Sequence, residues 1–153
     1  MSVTKPVKEL TLKRQIAAPV DAIWRAWTDP VEWQQWMGPV GWTIADCSID
    51  LRVGGKWTTT QRSPDGTLHP TGGRYLVIEP PHHLGFSWIL EDAEGKVVLD
   101  AEHHLRLTPK GDGTEVSLEV RILTALPGSE AFTNGVRDGW TGGLSKLAAY
   151  VEE

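Results

Sequence analysis

The amino-acid sequence predicts an α+β domain in which a curved, seven-stranded antiparallel sheet wraps a long C-terminal helix, with two short helices after the first strand. Three observations predict it. Apolar residues follow helical spacing only around residues 20–37 and again over 129–151. Between these stretches, turn sequences recur at short intervals. The segments they bound alternate apolar and polar residues, the period of two that a half-buried strand requires. A chain of 153 residues has the size of one domain, so all these elements must share one core.

The elements follow in order. Leu10, Leu12, Arg14 and Ile16 alternate with Thr11, Lys13 and Gln15, which suits a first strand ended by Ala17-Ala18-Pro19. Residues 1–8 read as a flexible N-terminal tail of a single domain spanning 1–153. Pro19 suits a first helical position, and Val20, Ile23, Trp24 and Trp27 follow the i, i+3, i+4, i+7 spacing of a helix ending near Thr28. Asp29-Pro30-Val31-Glu32 supplies a cap, a proline at N1 and a glutamate at N3 for a second short helix. Trp33, Trp36 and Met37 form its apolar side, and Gly38-Pro39-Val40-Gly41 ends it. Turns at Gly54-Gly55, Ser63-Pro64-Asp65-Gly66, Glu79-Pro80-Pro81, Asp92-Ala93-Glu94-Gly95 and Lys110-Gly111-Asp112-Gly113 then separate six strands.

Successive strand residues point to opposite faces, so parity sorts the buried side chains. It places Ala45, Cys47, Ile49 and Leu51 inward on one strand, and Leu84, Phe86, Trp88 and Leu90 on another. Val97, Leu99, Ala101, His103, Leu105 and Leu107 form a third set, and Val116, Leu118, Val120 and Ile122 a fourth. Residues 73–78 have no clear parity. From Ser129 to Tyr150, Phe132, Val136, Trp140, Leu144 and Leu147 recur at three and four residues, the mark of a long amphipathic helix.

That helix carries Gly135, Gly139, Gly142 and Gly143, each unfavourable by roughly 1 kcal/mol relative to Ala in a helix interior. Gly135, Gly139 and Gly143 repeat every four residues and make a stripe without side chains. The stripe leaves room for a ligand and suits a mobile lid; close backbone packing or an irregular helix start is the alternative.

Composition narrows the function. Apolar residues make up 40% and charged residues 23%, with eight tryptophans, which excludes disorder for most of the chain. Fifteen Lys and Arg against twenty Asp and Glu give a net charge of -5, which argues against a nucleic-acid partner. No apolar run approaches the ~20 residues that span a bilayer, and residues 1–15 lack a signal-peptide centre. The expectation is a soluble, cytoplasmic protein without integral membrane association. Cys47 stands alone, forms no intramolecular disulfide and reads as a small buried apolar residue.

Several stretches together carry a family resemblance. They include Ile16-Ala17-Ala18-Pro19, Trp24-Arg25-Ala26-Trp27-Thr28-Asp29-Pro30 and Trp36-Met37-Gly38-Pro39. Further along come the run from Cys47 to Gly55, then Pro64-Asp65-Gly66, Glu79-Pro80-Pro81, Gly113-Thr114 and Gly139-Trp140. The chain resembles the AHSA-type proteins, named for the activator of Hsp-90 ATPase, within the START-related helix-grip (SRPBCC) superfamily. The resemblance implies a helix-grip fold, with the last helix held by the sheet over a cavity. It does not imply one activity, because the superfamily includes lipid carriers, hormone receptors, polyketide cyclases, hydrolase-like members and co-chaperones on one scaffold. The activators proper carry an additional N-terminal domain with an Asn- and Trp-rich segment, whereas Asn134 is the sole asparagine here. A chaperone partner is not expected.

Candidate chemistry is sparse. His103, inward between Ala101 and Leu105, suits a ligand carbonyl or an acid–base role, against the plainer role of a satisfied core histidine. His82-His83 and His103-His104 do not converge as metal ligands, because adjacent strand residues diverge. No serine has nucleophile-elbow glycines, and Gly54-Gly55-Lys56 lacks Walker spacing. The expected function is binding of a small hydrophobic or aromatic molecule between sheet and helix, without covalent catalysis, metal or cofactor. The candidate ligand-binding residues are Trp36, Cys47, Ile49, Trp57, Thr59, Gln61, Phe86, Trp88, Leu99, Ala101, His103, Val136, Gly139, Trp140 and Gly143. One alternative is a cyclase or dehydratase acting on a polyketide-like substrate with His103 as acid or base. Another is a protein-interaction or co-chaperone-like module, with a homodimer as one form.

Overall fold

The computed structural model describes residues 7–152. In chain order they form β1 (Lys8–Ile16), α1 (Val20–Thr28), α2 (Pro30–Trp36), β2 (Thr43–Ile49), β3 (Lys56–Arg62), β4 (Leu68–Glu79), β5 (His83–Glu91), β6 (Val97–Lys110), β7 (Gly113–Ala125) and α3 (Glu130–Val151). The seven strands make one antiparallel sheet in the order β1-β7-β6-β5-β4-β3-β2. Hairpins join neighbours from β2 to β7, and β1 closes onto β7. The sheet curves around α3, as the helix-grip expectation requires. Of the tail expected over 1–8, residues 1–6 lie outside the described residues. The Val7 amide already donates to Ile122 O at 2.6 Å, and Lys8 opens β1 opposite Ile122.

The short helices form for local reasons. Asp29 Oδ1 accepts from the amides of Val31 at 2.8 Å and Glu32 at 3.3 Å, and Pro30 occupies N1, where its missing N–H costs nothing. Pro19 stands at the N-cap of α1, one position earlier than its spacing suggests, and its carbonyl accepts from Ala22 and Ile23. These helices drive tryptophans into the core. Trp27 is fully buried and meets Trp36 edge-on at 4.8 Å and stacks on Trp140 at 5.6 Å. The indole N–H of Trp36 donates to Ala26 O at 2.9 Å. Among the described residues the N–H groups of Trp27 and Trp33 meet no hydrogen-bond partner, and both indoles sit within edge-to-face ring pairs.

Parity fails where strands bulge, because one extra residue reverses every side chain beyond it. The register of β2 shifts between Ile44 and Asp46, so Ile44 takes the inward place and Ala45 is exposed. Leu51 lies past the end of β2 and is 42% exposed. Val97 is also exposed; the shifts at Leu90/Glu91 and Asp100/Ala101 accompany burial of Val98 and Leu99 together. The connection to α3 lies along Val98, with the Leu126 amide on Val98 O at 2.8 Å. Another bulge, between Tyr75 and Val77, explains why 73–78 have no readable parity. Gly73 has its own reason, since a Cβ there would overlap the Ser87 carbonyl of β5.

Candidate functional site

A cavity of about 260 Å³ remains between α3 and the sheet. Its helical wall is Ala131, Phe132, Gly135, Val136, Gly139, Trp140 and Gly143. The chain between α2 and β2 contributes Met37, Gly38, Pro39 and Trp42; β3 contributes Gln61; β4 contributes His69, Pro70 and Thr71; β5 contributes Trp88 and Leu90. His69, Pro70, Ala131 and Gly135 are exposed and form its rim.

The glycine stripe faces this space. A Cβ at Gly135 would meet nothing within 4 Å; one at Gly139 would meet only Pro39 Cγ at 3.7 Å. At Gly143 the neighbours are Trp140 Cε3 at 3.6 Å and Gly38 O at 3.7 Å. Gly142 serves the other purpose the sequence offered: its Cβ would press on Val40 Cγ2 at 3.1 Å, so here helix and loop approach closely. Three glycines therefore open the cavity and the fourth packs the helix against its mouth.

Lys146, one turn beyond Gly142, holds that mouth in place. Its ammonium donates toward four carbonyls, Met37 O at 3.4 Å, Gly38 O at 3.2 Å, Pro39 O at 3.3 Å and Trp42 O at 3.0 Å. Burial lowers its pKa from the ordinary lysine value. The polar groups on the wall differ in how far they are occupied. Thr71 Oγ1 donates to Ile89 O at 3.1 Å, and His69 Nε2 lies 3.2 Å from Ser63 Oγ with its ring against Trp42 at 5.0 Å. Gln61 is 8% exposed, and its amide makes no hydrogen bond among the described residues.

Of the residues expected at the site, Gln61, Trp88, Val136, Gly139, Trp140 and Gly143 line the cavity. Trp36, Trp57, Thr59, Phe86, Leu99, Ala101 and His103 are buried in the core beside it, while Cys47 and Ile49 are half-buried on β2. The Cys47 thiol sits against α2, donating to Pro30 O at 3.3 Å and accepting from Gln34 Nε2 at 3.4 Å, and burial raises its pKa. Trp57 Nε1 donates to Ser87 O and Thr59 Oγ1 to Asp46 O. His103 is wholly buried and does not line the cavity. It stacks on Phe86 at 4.9 Å, its Nδ1 meets Ala101 O at 3.1 Å, and its Nε2 accepts from Trp140 Nε1 at 3.2 Å. Burial pushes its pKa down to about 3. With both ring nitrogens engaged, it is a satisfied core histidine.

Among the described residues no group of three or more His, Cys, Asp or Glu side chains could hold a metal ion. On the outer face, His83 Nε2 meets His104 Nδ1 at 2.8 Å and His104 Nε2 meets Glu102 at 2.7 Å. The ring centroids lie 5.1 Å apart, so the two facing nitrogens are nearly collinear and share a proton instead of converging on a third point. The sequence reasoning did not place Trp42, His69, Pro70, Thr71, Leu90 and Phe132 in the site. The helical period carries Phe132 four residues before Val136, which was a usable signal; the start of β4 has no parity from which His69 and Thr71 are readable.

The comparisons with known proteins agree with this architecture. The family model of the Activator of Hsp90 ATPase homolog 1-like protein matches residues 17–152. A solved structure from Chromobacterium violaceum is 28% identical, with a TM-score of 0.80 over 95% of this chain and 97% of that one. One from Nitrosomonas europaea is 26% identical, with a TM-score of 0.79 over 94% of each chain. The AHSA1 protein from Silicibacter pomeroyi is 25% identical, with a TM-score of 0.77 over 93% of this chain and 96% of that one. No curated protein matches.

Proposed function

The chain belongs to the Activator of Hsp90 ATPase homolog 1-like family, and on that premise we propose that it binds a small, largely apolar molecule in the cavity between α3 and the sheet, without covalent catalysis. One observation carries the proposal: Gly135, Gly139 and Gly143 expose bare helix backbone to a space of about 260 Å³ that side chains would otherwise fill. Tight interiors leave few voids larger than a water molecule, and four glycines in one helix oppose its formation by roughly 4 kcal/mol. A helix retaining that burden beside an aromatic-walled space fits a ligand site better than a packed core. The alternative with His103 as acid or base draws no support from the geometry, because both its nitrogens are occupied. Family membership supports a binding module in general and assigns no chaperone activity, since one scaffold hosts many functions.

Native mass spectrometry of the purified chain, before and after organic extraction, tests this directly. A copurifying apolar mass that extraction removes is the expected result. An unliganded protein whose tryptophan fluorescence also ignores a panel of apolar compounds would overturn the proposal.

A further inference from the structure

Three residues of β3 point inward, and they differ in one respect. Trp57 and Thr59 give their polar hydrogens to the carbonyls of Ser87 and Asp46. Gln61, more than nine-tenths buried, gives its amide to none of the described residues and faces the cavity. The atoms of its amide are not among the fully enclosed unpaired polar atoms, so the amide stays open to the cavity and free to pair with what enters it. Its surroundings keep it uncovered. Gly38 adopts the left-handed φ of 99° above it, and a Cβ there would stand 3.9 Å from Gln61 Cδ and 4.0 Å from Nε2.

The rest of the wall defines what approaches this amide. Among the described residues no Lys, Arg, Asp or Glu lines the cavity, the one ionisable lining side chain is His69 on the exposed rim, engaged with Ser63 and Trp42, and the nearby Lys146 ammonium is held by four backbone carbonyls. A charged ligand would lose its hydration without compensation, so the ligand is neutral. The glycine stripe offers a flat backbone surface, and Trp88 meets Trp140 edge-on at 6.1 Å and Phe132 at 5.8 Å. This is the wall of a planar ring system. The carboxamide of Gln61 presents a C=O acceptor and an N–H donor side by side, and its complement is a group with a donor and an acceptor in the same arrangement.

Resting on the binding function proposed above, we infer that Gln61 selects an uncharged, planar ring ligand bearing a cis-amide edge, a lactam, by a paired hydrogen bond in which each amide donates to the other's carbonyl. The class is named by its recognition chemistry: a flat apolar body with one N–H and one C=O adjacent on its rim.

Isothermal titration calorimetry of the full chain with three bicyclic probes tests it: 2-quinolone, a lactam; 2-methoxyquinoline, in which methylation removes the donor; and naphthalene, which has neither group. Wild type is expected to bind 2-quinolone at least tenfold more tightly than 2-methoxyquinoline, the scale of one buried polar group left unpaired. Gln61→Leu is expected to reduce the preference for 2-quinolone over 2-methoxyquinoline to about twofold or less, read as the ratio of the two affinities within that variant. Gln61→Met, unbranched and similar in length, serves if the leucine variant does not fold. Equal affinity of wild type for all three probes, or a preference surviving in a folded Gln61 variant, overturns the lactam inference and leaves the cavity function standing. Failure of wild type to bind any probe overturns both.

Discussion

Trp140 donates its indole N–H to Nε2 of His103 across 3.2 Å, and the same indole forms part of the cavity wall. The histidine orients an aromatic face that a ligand would touch, while contributing no atom to the lining. Its neutral tautomer, with Nδ1–H toward Ala101 O, satisfies both rings at once.

This pairing fixes a pH dependence. Burial moves the His103 pKa from 6.5 to about 3, so on acidification the unfolded chain takes up the proton first. The stability associated with neutral His103 is complete above pH 6.5 and is lost progressively as pH falls toward 3. The loss reaches about 2 kcal/mol by roughly pH 5. Urea unfolding from neutral to mildly acidic pH should show a shallower pH slope in His103→Leu than in wild type. Identical slopes would remove His103 from the account.

Gly139→Leu should separate stability from binding. The replacement raises helix propensity by close to 1 kcal/mol, and its Cβ meets only Pro39 Cγ, so the fold should be retained or strengthened. The isobutyl group then occupies the cavity. Affinity for an apolar probe should fall at least tenfold while the melting temperature holds or rises. Unchanged affinity in the folded variant would show that ligand does not lie on the glycine stripe.

Lys146→Met keeps the apolar stem and removes the ammonium from the carbonyls of residues 37–42. Stability should drop by about 1–2 kcal/mol, since several half-buried carbonyls lose a charged donor. Hydrogen exchange should accelerate at Trp42, whose amide bonds Pro39 O. Wild-type protection at that amide would mean the mouth is held by packing alone.

Asp29→Ala tests the start of α2. Losing the cap on the Val31 and Glu32 amides should cost about 1 kcal/mol in chemical denaturation. Because α2 carries buried Trp33 and Trp36, the loss should appear in global unfolding. A variant as stable as wild type would show that tryptophan burial alone fixes the helix.

Much of the fold was legible in the sequence because it rests on local signals. The Asp29-Pro30 cap, the recurring turns and the helical period from Phe132 to Leu147 each act within a few residues, and the structure has all of them. Parity worked along unbroken strands such as β7, where Val116, Leu118, Val120 and Ile122 are all buried. It failed at Ala45 and Val97, because a bulge arises from how two strands match in length and twist, which neither encodes alone.

The candidate site divides along the same line. The sequence by itself determined that the last helix lacks side chains every fourth residue, that the chain is rich in tryptophan, and that His103 faces inward, and it put Gln61 among the candidate ligand-binding residues. Only the tertiary structure decided what those facts mean. The last helix brings Trp140 to His103, whose other ring nitrogen meets Ala101 O on its own strand, and this closes it off as core, while Trp57 and Thr59 find carbonyls and Gln61 finds none. Sequence spacing sets the direction in which a side chain points; the partner it meets is set by which strand or helix the whole chain lays against it.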